Sequence, residues 1–238
     1  MLQKFNYFGE HEDYVIRLCN PNKQQICFLN QGYQQELSLR FNEMSEFHIT
    51  IPYMTDGEIF PYYDRIKSKK LILIDDIGYF LITTVDETDD GIVKQKTVTA
   101  YSLETELAFK KINIFDGTYK FYDPINADNT LMGKILSTSN WTIGQIDPDL
   151  WNVYRTFEIP DSTVYEFLMN DVETSYECVF MFDSFARTVS AYTLKNLVKN
   201  TDIILSYNNL IQNIDINEKS DEIVTALSAV SYTHLTLP

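Results

Sequence analysis

Hydrophobic positions recur with a period of two over much of the first hundred residues. Leu37, Leu39 and Phe41 would share one face of a strand. Phe47, Ile49 and Ile51 would share one face of the next, with His48 on its polar side. The link 42–46 is short enough to make the two a hairpin. Upstream, residues 15–18 and 26–29 flank Asn20-Pro21-Asn22-Lys23, residue types that favour a turn. Downstream, 71–74 and 79–85 flank Asp75-Asp76-Ile77-Gly78, and Asp89-Asp90-Gly91 leads into a third strand, Ile92 to Tyr101. Short strands at this spacing predict a small antiparallel barrel or sandwich.

The period changes at Ser102. Ser102 is a candidate helix cap, with Glu104 and Glu106 in the first turn and Lys110 and Lys111 in the last, signs that suit the helix dipole. That helix closes a first domain near Ile112. Residues 113–128 read as a connecting segment with a turn at Asp116-Gly117. A short helix is expected at 130–137, capped by Asn129. A strand at 153–159 ends at Pro160, and Asp161 or Ser162 caps a further helix. Val164, Phe167, Leu168 and Val172 fall on one face of it. Residues 178–182 and 188–192 predict a hairpin, and strands return at 203–205, 210–216 and 223–227. The order is strand-rich, mixed, strand-rich, without internal repeats.

Composition adds little chemistry. Aromatics reach 14%, and 19 Lys and Arg face 34 Asp and Glu, a formal charge of −15. Such a surface repels phosphate, so attraction to DNA or RNA is not expected, although nucleic acid could slide past it. The basic residues gather most at Arg65, Lys67, Lys69 and Lys70, either a solvated strand end or a surface for an acidic neighbour. Cys19, Cys27 and Cys178 are odd in number and lack C-x-x-C spacing, so buried reduced thiols are expected, with a Cys19–Cys27 disulfide as the less favoured alternative. The opening residues lack the positive lead and small-residue cleavage site of a secretory signal, and no apolar run reaches the roughly 18–20 residues of a membrane span.

His11, His48 and His234 form no zinc motif, and neither a nucleophile elbow nor a P-loop occurs. Asp86-Glu-Thr-Asp-Asp-Gly91 superficially resembles a calcium loop, but Thr97 stands where the bidentate acid is needed, so a tight hairpin turn is the better reading. Trp141, Trp151 and Tyr154 could form a sugar platform or serve as core anchors. No spacing singles out a pair of acids. We therefore assign no catalytic, cofactor-binding or metal residue. The last nine residues, Val230 to Pro238, resemble a translated sequencing adapter, so 229–238 are set aside as an artefactual tail and the natural chain is expected to continue past Ser228.

Several stretches, taken in order, carry a resemblance. They are Ser38-Leu-Arg-Phe-Asn-Glu-Met-Ser-Glu46, Tyr79-Phe-Leu-Ile82, Lys96-Thr-Val-Thr-Ala-Tyr-Ser-Leu-Glu-Thr-Glu-Leu107, Phe115-Asp-Gly-Thr-Tyr119, Arg155-Thr-Phe-Glu-Ile159 and Val164-Tyr-Glu-Phe-Leu-Met-Asn-Asp-Val172. Together they resemble the N-terminal region of phage minor structural proteins of Firmicutes phages and prophages, also called the prophage tail endopeptidase or tail-associated lysin family. The resemblance spans residues 35–227. It implies a mainly β fold with an α+β insert. An antiparallel β-barrel hub domain (1–112) would be followed by a mixed α/β intermediate domain (113–200) and the start of a truncated second barrel (201–228). It implies a structural baseplate hub at the virion tail tip. That hub would be a homotrimer attached to the distal tail protein, tail tube and tape-measure proteins around the DNA exit. It implies no cofactor here, because any wall-degrading peptidase or hydrolase module would lie downstream. A carbohydrate-binding module for the host surface is the remaining alternative.

Overall fold

The computed structural model describes residues Gln3–Phe5 and 11–197. The strands expected at 203–205, 210–216 and 223–227, the start of a second barrel at 201–228, and the tail 229–238 with His234 lie outside the described residues. Strands β1 (Gln3–Phe5) and β2 (His11–Asp13) pair antiparallel. Then follow β3 (Ile16–Cys19), β4 (Gln25–Phe28), β5 (Tyr33–Ser38), β6 (Glu46–Pro52), the small hairpin β7 (Met54–Thr55) and β8 (Glu58–Ile59), β9 (Leu71–Ile74), β10 (Gly78–Asp89) and β11 (Lys94–Ser102). Seven of these form one antiparallel sheet in the order β4-β3-β9-β10-β11-β6-β5.

That order forces the sheet to curl. Strands β4 and β5 are its two edges, yet only residues 29–32 join them. Five chain steps reach at most roughly 18 Å. Seven strands laid flat would hold those edges about 29 Å apart. The expected antiparallel barrel is therefore a strongly curled sheet whose edge strands approach without pairing to each other. The link is tight: a Cβ on Gly32 would lie 2.3 Å from Ile49 Cδ1, so a larger residue there would have to push the buried Ile49 side chain aside. The concave side holds an aliphatic interior of Ile16, Leu18, Cys27, Leu29, Phe47, Ile49, Ile51, Ile72, Ile74, Phe80, Ile82, Val98 and Ala100. Lys96 continues this inward row. It is buried, and its Nζ donates to the carbonyls of Tyr63 (3.0 Å) and Ile66 (3.4 Å). The short 3-10 turn Tyr63–Arg65 thus closes one end of the interior.

The remaining elements cover the outside of β3, β9 and β10. They are α1 (Thr105–Ala108), β12 (Gly117–Lys120), α2 (Leu131–Leu136), β13 (Thr142–Ile146), β14 (Tyr154–Phe157), α3 (Val164–Glu166), α4 (Glu173–Tyr176), β15 (Cys178–Asp183), β16 (Thr188–Thr193) and α5 (Leu194–Leu197). Strands β12 and β14 pair antiparallel; β16 pairs parallel with β13 and antiparallel with β15. A second core joins Cys19, Leu71, Leu73 and Leu81 of the sheet to Leu107, Phe121, Ile135, Val164, Phe167, Leu168, Val172 and Phe180. All four residues of β9 are therefore buried, as a strand covered on both faces requires.

Several expected boundaries move, each for a local reason. Strand β5 ends at Ser38, where its pairing with Glu46 ends, and Asn42 turns the chain at φ +60°, so Leu39 and Phe41 are exposed and share no strand face. Ser102 does not cap a helix; its N–H donates to Ser45 O as the last residue of β11, so α1 is a single turn after Glu104, and Lys110 and Lys111 fall beyond it. The connecting stretch 113–128 contains β12. Thr130, not Asn129, caps α2, its side chain accepting from the Gly133 N–H. Thr163, not Asp161 or Ser162, caps α3 in a reciprocal box with Glu166. That helix passes through a π-helical stretch, Phe167–Val172, before α4. The apolar face of Val164, Phe167, Leu168 and Val172 is fully buried, and the 178–192 hairpin forms as β15 and β16.

Candidate assembly surface

The residues that sequence reasoning weighed for chemistry are scattered. Cys19, Cys27 and Cys178 are free and buried. Cys19 and Cys27 lie on adjacent strands but face opposite sides of the sheet, Cys19 in the outer core and Cys27 in the inner one, which rules out the disulfide. Burial pushes the Cys27 thiol up to about 11 and the Cys178 thiol to about 12, the reverse of what a nucleophile needs. His48 shares its ring between the Thr99 hydroxyl (3.1 Å) and the Glu46 carboxylate (3.0 Å). Residues 86–91 run from strand β10 into a hairpin turn. Among the described residues no group of His, Cys, Asp and Glu is placed to hold a metal ion.

The three-ring sugar platform does not assemble. Trp141 is 2% exposed and donates its indole N–H to Glu106 Oε2 at 3.2 Å. Trp151, 36% exposed, donates to Ile146 O and packs near Tyr122. Tyr154 lies instead with Lys120 over a separate polar cavity of about 310 Å³.

Polar contacts fasten the outer layer to the sheet. Arg187, in the β15–β16 turn, donates through Nε and Nη2 to both carboxylate oxygens of Glu106 at 2.9 Å, and through Nη2 to Pro21 O at 3.1 Å. Lys23 donates to Ser184 O and Phe185 O, and the Tyr79 N–H donates to Ser184 Oγ. The turns at residues 20–23 and 183–187 are thereby clamped together. Sequence reasoning missed Glu106 and Arg187, because 81 positions separate them and neither sits in a motif.

Two carboxylates are displaced in opposite directions. Burial would raise Asp147, but hydrogen bonds from the Thr193 hydroxyl and N–H, Asn196 Nδ2 and the Asp149 N–H outweigh it and hold the carboxyl at about 2. Asp147 thus anchors the junction of β16 and α5. Burial pushes Glu104 up, against the opposing hydrogen bond from Ser102. Glu104 lines a cavity of about 220 Å³ with Tyr165, whose hydroxyl is pushed up to about 12 by burial and by the Glu104 charge.

An apolar groove of about 860 Å³ lies where α1 and Trp141 meet the outside of the sheet. Pro21, Met44, Leu81, Phe109 and Trp141 line it, and Lys69 and Lys110 stand at its rim. The basic cluster thus divides: Lys69 reaches the groove, Lys70 bonds Asn20 Oδ1, and Arg65 ends the 3-10 turn. An apolar groove with a charged rim suits protein contact better than catalysis.

This mostly antiparallel β fold is shared with solved tail proteins. The chain superimposes on a 43 kDa tail protein of prophage MuSo2 from Shewanella oneidensis with a TM-score of 0.53, over 76% of this chain and 56% of that one, at 13% identity. A tail protein from Neisseria meningitidis MC58 matches with a TM-score of 0.51, over 76% and 50%, at 10% identity. In sequence, the chain is 25% identical over 237 residues to the SPbeta prophage-derived uncharacterized protein YomG of Bacillus subtilis (strain 168), covering 96% of this chain and 25% of YomG. The chain thus spans a quarter of that relative and about half of those structures. No family model matches the chain. No helix among the described residues is long and apolar enough to cross a membrane.

Proposed function

We propose that this chain is the hub region of a longer phage or prophage tail-tip protein, made in the bacterial cytoplasm and built into the virion tail. In this reading it docks on the distal tail protein and tail tube, meets the tape-measure protein, and surrounds or closes the DNA exit as a homotrimer. Residues 1–112 act as the barrel-like hub domain, 113–200 as the intermediate domain, and 201–228 begin a second barrel. The observation that supports the reading is the fold, which superimposes on a prophage tail protein and on a second tail protein with TM-scores of 0.53 and 0.51. The net charge of −15 supports it, because an acidic lumen lets DNA pass without lasting phosphate contacts.

In this reading the role of this chain is structural and not enzymatic; burial pushes the Cys27 and Cys178 thiols away from the thiolate, and Asp147 serves as an anchor. The length of the prophage relative, of which this chain matches 25%, favours one second reading: a tail-associated peptidoglycan hydrolase or endopeptidase with its catalytic module outside this chain. The carbohydrate-binding reading keeps Trp151 as an exposed ring but not Trp141, which lies in the core. The test is the solution mass of the complete gene product, alone and with its distal tail protein. A trimer that caps the tail ring is expected; a monomer that ignores the ring overturns the hub reading. Wall lysis by this chain alone would overturn the structural role.

A further inference from the structure

Two exposed features lack a counterpart among the described residues. The first is the tip of the β10–β11 hairpin. Ile92 is 92% exposed and Val93 is exposed beside it. The tip is rigid: Asp90 Oδ1 accepts from the N–H groups of Ile92 (2.9 Å) and Val93 (2.6 Å), Asp89 Oδ1 accepts from the Gly91 N–H, and Gly91 takes φ +82°. Asp89 and Asp90 flank it, Asp86 and Glu87 lie further back on β10, and Lys94 pairs with Glu87 and Asp89, which leaves the hairpin end net acidic. A pre-ordered apolar tip loses little freedom on binding.

The second feature is the apolar groove of about 860 Å³. Phe109 is 66% exposed at its edge. Lys69 and Lys110 at the rim are exposed and make no ion pair among the described residues. In a chain of charge −15, unpaired lysines around an apolar groove are the complement of the acidic tip. The groove falls in the size range that encloses a drug-sized molecule, and a two-residue apolar tip is of that order.

The tip cannot enter its own groove. Thr83 lines the groove, and β10 runs on from it, paired to β11 through Asp89–Lys94. Seven residues of strand separate Thr83 from Asp90, roughly 23 Å. We propose that the Ile92–Val93 tip of one copy docks in the Leu81–Phe109–Trp141 groove of a second copy, with Asp86 on the side of Lys69 and Lys110. Tip and groove are different surfaces, so the contact is heterologous, and repetition closes a ring or extends a filament. The inference deepens the hub reading, and rests on it for ring closure alone.

Sedimentation of the full chain across concentrations tests it. Wild type is expected to self-associate. Ile92→Asp, and Lys69→Glu with Lys110→Glu, should each weaken association at least about tenfold. Their circular dichroism and melting should stay unchanged, because all three side chains are exposed. A labelled Asp86→Lys chain should co-sediment better with the Lys69→Glu/Lys110→Glu chain than wild type does. Ile92→Cys mixed with Phe109→Cys should give an interchain disulfide on oxidation. Association that survives every one of these substitutions, or a wild type that stays monomeric throughout, overturns this contact. Binding to the distal tail ring judges the hub reading separately.

Discussion

The inside and the outside of the curled sheet are built differently. The interior is aliphatic and aromatic, filled by alternate residues of neighbouring strands, with Lys96 as its one charged member, spent on carbonyls at the mouth. The outer layer has a comparable apolar core, but short elements far apart in sequence assemble it, and charged contacts fasten it: Glu106 to Arg187, Lys23 to the 184–185 carbonyls, Asp147 to Thr193 and Asn196. A period-two pattern packs against itself as soon as the strands pair. A layer of one-turn helices and short strands cannot nucleate alone and depends on a wall and on polar latches to fix its place.

The strongest test of this contrast is the interior. Phe47→Ala, which opens a cavity where nothing is exposed, should cost about 3–5 kcal/mol and lower the melting midpoint of the whole unit, measured by urea unfolding. Removing the latch should act more locally. Glu106→Ala leaves Arg187 and the Trp141 indole N–H without their acceptor and should cost about 2–3 kcal/mol, with loss of the near-ultraviolet signal of Trp141 ahead of the far-ultraviolet signal. Simultaneous loss of both signals would mean that the two layers unfold as one.

Two pH effects of opposite sign are smaller. Asp147 is held at about 2 in the fold against an ordinary 3.8, so its contribution is complete above pH 3.8 and is lost as pH falls towards 2. Asp147→Asn should flatten stability over that acid window. Glu104 is raised above its ordinary 4.5 by burial, so the fold is favoured below pH 4.5 and that benefit fades as pH rises through the raised value. Glu104→Gln should therefore stabilise the protein at neutral pH and not below pH 4.5, as thermal melts at several pH values would show. The smallest effect is expected at the tip: Ile92→Asp should change monomer stability by less than about 0.5 kcal/mol, since that residue is 92% exposed.

Strand positions in the sheet were legible because burial on one face leaves a period of two, as at Phe47, Ile49 and Ile51, and the 164–172 helix because its apolar face recurs every three to four residues. Helix caps were misplaced by one or two positions, since Asn129, Thr130, Asp161, Ser162 and Thr163 are all competent caps and only the backbone path selects one. The run 37–41 carried the right pattern, yet only Leu37 and Ser38 lie in β5, because β6 begins at Glu46, the partner of Ser38. The absence of catalytic motifs was equally plain in the residues. Local pattern thus determined most strands of the main sheet and their apolar faces, but not β12 or β13 of the outer layer. Only the tertiary structure decided that the sheet curls, that Cys19 and Cys27 face opposite sides, that Glu106 meets Arg187, and that Lys69, Lys110 and Phe109 frame one groove. Those outcomes depend on strand order and on contacts between distant residues, and a one-dimensional pattern carries no distance between residues it does not place side by side.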